Sequence, residues 1–171
     1  MKRRYTSKKF IIMSMFVAIG IVLQYIENNV LISPVPGGKL GLCNIVSVIN
    51  IFMFGGKNAV MISLIRAILG TLLTGGVMAL PYSVAGAVFS TAVMAVMQKY
   101  TYPKVSMVGI SIVGAAVHNL LQVCVAAVML TSGYIFSYLP FLLVVAVISG
   151  SITGYAAQIF GNRILKHGDK L

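Results

Sequence analysis

The chain has 171 residues, 59% of them apolar, with 13 lysines and arginines against two acidic residues and a net charge of +11. A water-soluble globule needs both signs of charge over its surface, so this composition excludes one. With Glu27 and Asp169 as the only carboxylate side chains, it also excludes hydrolysis by paired carboxylates and aspartate clusters that hold magnesium on a diphosphate.

Six apolar segments follow one another: Phe10–Ile26, Leu40–Phe54, Ala59–Leu73, Val77–Met97, Val105–Leu130 and Phe141–Phe160. A bilayer core of about 30 Å takes roughly 20 helical residues. The segments are too long for membrane strands and lack in/out alternation. The predicted fold is all-α, a polytopic bundle of six transmembrane helices. It forms a single integral membrane domain over residues 1–171, with a basic tail at 1–9, the bundle at 10–160 and a second tail at 161–171. Segments two and three, at about 15 residues, are short for a span and are expected to thin the bilayer, tilt little or border a cavity.

The basic residues lie on one side. Lys2, Arg3, Arg4, Lys8 and Lys9 precede helix one, Lys57 sits between helices two and three, and Lys99 and Lys104 between four and five. Arg163, Lys166 and Lys170 follow helix six, whereas the other three connections carry only Lys39 and Glu27. The positive-inside rule then places both termini and two short loops on the cytoplasmic side of the cell membrane. The tails are suited to anionic lipid, and no basic surface with the base-stacking aromatics of a nucleic-acid site exists beyond them.

Along the chain, helix one has no small-x-small cleavage site after it and reads as a retained span. Ser14 and Ala18, four apart, suit packing against a partner subunit or an internal helix. The first outer loop, from Glu27 to Lys39, contains Pro34, Pro36, Gly37 and Gly38, and is either a lid or a plain connector. Helix two opens with Gly41, Cys43 and Asn44. Asn44, Ser47 and Asn50 share a face. Glycine amides and Lys39 at the rim suit a negatively charged head group, or form an ordinary glycine-rich turn with an interfacial lysine.

Arg66 falls near the middle of helix three, where an arginine costs about 2.5–3.5 kcal/mol on insertion scales. Either it faces an anionic ligand or it clamps helix carbonyls. The turn Thr74-Gly75-Gly76 makes helices three and four antiparallel neighbours. Helix four carries Ser83, Gly86, Ala87 and Ser90, a small-residue stripe for close packing. Helix five carries His118, Asn119 and Gln122, with Ser111, Gly114 and Ala115 below them. The small residues are expected to leave a recess, and His118 serves either a bound anion or interhelical packing. Cys43 and Cys124 form no CxxC and read as buried free thiols. Tyr and Phe in 131–140 suit the interfacial belt. No metal-binding, Walker A or nucleophile-elbow motif is present, and no cofactor is expected. An intramembrane acid for proton coupling is also missing, so any ATP hydrolysis belongs to another chain.

The runs Gly37-Gly-Lys-Leu-Gly-Leu-Cys-Asn44, Arg66-x-x-x-Gly70 and Gly114-Ala-x-x-His118-Asn119-x-x-Gln122, in this order over nearly all six helices, resemble the Gx transporter family, also called heptaprenyl diphosphate synthase component I. That family is similar to the substrate-binding S-components of energy-coupling-factor transporters. The resemblance implies a six-helix protein that captures a vitamin-like solute from outside and docks through small residues on helix one. Here Ser14-x-x-x-Ala18 stands in place of the usual alanine pair. The expected pocket is lined by Arg66, His118, Asn119, Gln122 and Asn44, with Lys39 at its rim, and receives a small anionic or amphiphilic molecule. Scaffold and ATPase subunits are the expected partners. The alternative is a non-catalytic accessory subunit beside a prenyl diphosphate synthase or a flavoprotein.

Overall fold

Runs of Ile, Val, Leu and Met with no water to solvate their backbone close their hydrogen bonds within the segment. A computed structural model of the chain has six α-helices: α1 (Lys2–Asn29), α2 (Asn44–Phe54), α3 (Gly56–Thr74), α4 (Leu80–Thr101), α5 (Met107–Met129) and α6 (Leu139–Gly168). The structure describes residues 2–29, 41–74 and 77–168, with side chains for 7–27, 29, 41–74 and 77–160. No strand occurs among the described residues. The helical ends follow local chemistry. Ser106 caps α5 by accepting the Gly109 N–H at 3.2 Å, and a proline lies in the first turn of α4. Helices α1 and α6 run into the two basic stretches, so helix continues from Lys2 and as far as Gly168.

Five helical stretches are long and apolar enough to cross a membrane: Ser7–Glu27, Gly56–Thr74, Val77–Thr101, Met107–Met129 and Gly133–Phe160. This is a polytopic helical membrane protein. Its outward faces are apolar. Ile11 and Met15 on α1, Leu72 and Leu73 on α3, and Ile148 and Ile152 on α6 are all exposed, as lipid-facing side chains should be.

The exception is α2. Its 11 residues rise about 16 Å, about half of a bilayer core. The sequence predicts helix from Leu40, but Gly41 adopts φ +73, a left-handed conformation that ends a helix. The Asn44 N–H closes a turn on the Gly41 carbonyl at 2.8 Å. At its other end α2 stops at Gly55, φ +79, and α3 begins at once.

This short helix touches all five others. Helices α3, α4, α5 and α6 pack in sequence around it, and α1 lies against α3 and α2 alone. The apolar core gathers about α2: Val48, Ile49 and Ile51 meet Ala59, Met94, Ile110 and Ala157. Tight contact holds the α5–α6 pair. A Cβ added at Gly150 would lie 2.6 Å from the Ile112 Cα, and one at Gly154 2.7 Å from the Val108 Cα. Between these glycines Thr153 shares a 2.9 Å hydrogen bond with Ser111. This is the small-x-x-x-small packing of membrane helices.

Candidate functional site

Asn44 and Arg66 each lie eleven residues from Gly55, one on α2 and one on α3. At about 1.5 Å per residue both sit about 16 Å from that turn, at one depth midway through the bundle. The N-terminus of α2 therefore opens inside the apolar thickness rather than at its edge. A helix N-terminus carries partial positive charge, of the same sign as the guanidinium at its level.

Arg66 is 2% exposed. Its Nη1 donates to the Gln24 Oε1 at 3.1 Å, and the Gln24 Nε2 donates to the Thr71 Oγ1 at 3.2 Å. Its Nε and Nη2 are buried and have no hydrogen-bond partner among the described residues. Two glycines make this geometry possible. A Cβ at Gly20 of α1 would overlap the Arg66 Cδ and lie 3.0 Å from its Cγ. A Cβ at Gly70, one turn beyond Arg66, would lie 2.7 Å from the Gln24 Oε1. The arginine stem thus crosses α1 at Gly20, and the Gln24 amide crosses α3 at Gly70.

Beside the guanidinium lies a cavity lined by Gln24, Cys43, Arg66, Ala67, Ser83 and His118, so helices α1, α3, α4 and α5 and the start of α2 all contribute. It is small, with room for about one water. The His118 ring packs on Gly86 of α4, where an added Cβ would lie 2.9 Å from its Cε1. The carboxylate of Glu27, buried on α1, accepts the Gly41 N–H at 2.5 Å and ties α1 to the turn before α2.

The sequence-derived site divides accordingly. Arg66 and His118 meet at the cavity. Asn44 is buried one residue beyond Cys43, and its Oδ1 has no hydrogen-bond partner among the described residues. Asn119 is buried and donates to the Leu142 carbonyl at 2.9 Å, a tie between α5 and α6. Gln122 is buried but is not among the residues lining the cavity. Lys39 lies outside the described residues, as do residues 30–39 of the loop expected as a lid, whereas Glu27 and Asn29, expected in that loop, belong to α1. The recess expected beside Gly114 is filled by the Met94 thioether. Ser14 and Ala18 are exposed on α1, with the Ser14 hydroxyl donating to the Phe10 carbonyl at 3.0 Å. The internal face of α1 is instead Met13, Gly20, Gln24 and Glu27.

Sequence reasoning missed Gln24, Cys43 and Ser83 as cavity residues. For Gln24 a signal existed: a polar side chain four residues after a glycine in an apolar helix, placing both on one face. Ser83 belongs to the packing stripe of α4, all of which is buried. Deeper along α2, Ser47 bonds Ser63 at 3.1 Å, and Ser63 bonds Thr91 at 2.9 Å. These hydroxyls knit α2, α3 and α4 together without entering the cavity.

The fold and the cavity define a polytopic helical membrane protein whose interior holds a guanidinium with two of its three nitrogens lacking a hydrogen-bond partner among the described residues. The chain belongs to the heptaprenyl diphosphate synthase component I family, whose family model matches residues 16–160. No curated protein and no solved structure matches it.

Proposed function

We propose that this protein is a membrane-embedded binding subunit, without catalytic activity of its own, that takes a small anionic or amphiphilic solute from outside. The observation that carries this reading is Arg66, buried at mid-depth with Nε and Nη2 unpartnered beside a cavity. A buried charge without its counterion is costly in hydrocarbon, and the positive end of α2 adds to the same field. An anion relieves both. Arg66, His118, Gln24, Ser83 and Cys43 line the site in this reading, Asn44 stands at the helix start beside it, and Lys39 serves the rim. A scaffold and an ATPase supply energy in the manner of energy-coupling-factor transporters, docking near Ser14 and Ala18.

Family membership favours a second reading, an accessory membrane subunit beside a prenyl diphosphate synthase or a flavin-linked electron-transfer protein. Purification in mild detergent, followed by mass spectrometry of co-purifying proteins and small molecules, separates the two. Scaffold and ATPase subunits support transport, and a soluble synthase or flavoprotein supports the second reading. In either case Arg66→Ala is expected to lose the co-purifying anion while remaining folded in the membrane. Retention of that anion by a folded Arg66→Ala protein eliminates the binding site.

A further inference from the structure

The pattern of used and unused donors on Arg66 says which anions the site takes. Nη1 is committed to Gln24, and Gln24 is held in turn by Thr71. The unpartnered nitrogens, Nε and Nη2, lie on one edge of the guanidinium, where their N–H bonds run side by side. That edge matches two oxygens on a single carbon or phosphorus and forms a pair of parallel charge-assisted hydrogen bonds. Resting on the binding role proposed above, we infer that Arg66 presents a side-on fork to a carboxylate or phosphate group, with Gln24 and Thr71 as positioning residues that fix the plane of the fork.

Several observations converge on this. Gly20 and Gly70 clear the space in which the arginine stem and the Gln24 amide cross, so the plane is set by packing as well as by hydrogen bonds. Cys43, immediately before α2, lines the same cavity, which brings the N-terminus of that helix to the anion. The cavity has room for about one water. A head group therefore widens the site, and α1, which among the described residues touches only α2 and α3, is the wall with fewest restraints. A spherical halide engages the charge but gains nothing from the paired geometry. The oxyanion belongs either to a free solute or to the head of an amphiphile.

The test uses full-length protein labelled with ¹⁵N-arginine and follows the Arg66 Nε–H resonance, assigned by its loss in Arg66→Lys. In one arm the protein sits in phospholipid-free detergent and is titrated with inorganic phosphate, acetate or, at matched ionic strength, chloride. In the other it sits in phosphatidylcholine nanodiscs with and without phosphatidic acid. A downfield shift with phosphate or acetate but not chloride supports the fork and a free solute, and a shift confined to phosphatidic acid supports the fork and an amphiphile. Absence of a shift in both arms, or an equal shift with chloride, overturns it. Thermal protection by the probe that shifts the signal is then compared among variants. Arg66→Lys keeps the charge and is expected to bind about tenfold or more weakly, with Gln24→Leu weakened in the same direction. Full binding by Arg66→Lys together with loss in Arg66→Ala refutes the fork and leaves the anion site standing. Full binding by a folded Arg66→Ala protein refutes the site itself.

Discussion

Replacing Arg66 by methionine separates a ligand-seeking arginine from a structural clamp. Methionine keeps a long flexible stem across Gly20 and removes the charge. If Arg66 were a clamp, its loss would resemble the breaking of a buried pair, which costs about 3–5 kcal/mol. The structure points elsewhere, because among the described residues the guanidinium makes one hydrogen bond, to Gln24, and two of its nitrogens have no partner. A charge-assisted hydrogen bond contributes about 1.5–3 kcal/mol. Exchanging a poorly satisfied buried charge for an apolar side chain often returns about 1–4 kcal/mol. The Gln24 Nε2 keeps its bond to Thr71, while its Oε1 loses its donor, a loss of about 1–3 kcal/mol that offsets the gain. The two effects nearly cancel, and ligand-free Arg66→Met is expected within about 1 kcal/mol of the parent, about 2–4 °C in melting temperature for a chain of this size. The parent with its anion present at a hundred times its dissociation constant gains about 2.7 kcal/mol, and Arg66→Met gains none. Thermal unfolding in detergent, with and without the co-purified anion, measures both quantities. A ligand-free loss near 3 kcal/mol or more (the figure for breaking a buried pair) would falsify the reasoning.

Two further outcomes are expected. Gly20→Ala places a methyl group on the Arg66 stem; overpacking costs about 1–3 kcal/mol, while alanine recovers about 1 kcal/mol of helix propensity. A net loss of about 1 kcal/mol, coupled to Gln24→Ala in a double-mutant cycle, follows because both residues act on one arginine; strict additivity would show that the three do not form a unit. Single cysteines at Tyr134 and Lys57 in a cysteine-free background report orientation: a membrane-impermeant maleimide added to intact cells is expected to label position 134 and spare position 57, and the reverse pattern inverts the assignment of sides.

Much of this protein was legible in the sequence. Six apolar segments became six helices because a backbone in lipid has no other way to satisfy its hydrogen bonds. Arg66 and His118 stood out because a charge or an imidazole inside such a segment is rare and must be accommodated. The halving of α2 was less visible. It depends on the left-handed turn at Gly41, whose amide is taken by Glu27 from another helix, and a long-range contact of that kind leaves no periodic trace. The Leu142 carbonyl that Asn119 meets and the Met94 thioether beside Gly114 were not legible, because helical spacing gives the face of a residue but not the neighbour it meets.

Composition and the order of apolar and basic segments determined by themselves that this is a helical membrane protein with an arginine within its apolar thickness, since burial in hydrocarbon constrains every residue singly. Tertiary structure alone decided which donors of that arginine are used, that Gln24 takes one of its nitrogens, and that Cys43, immediately before α2, lines the same cavity. Those outcomes rest on side chains brought together from separate helices, where packing and not local pattern selects the partner.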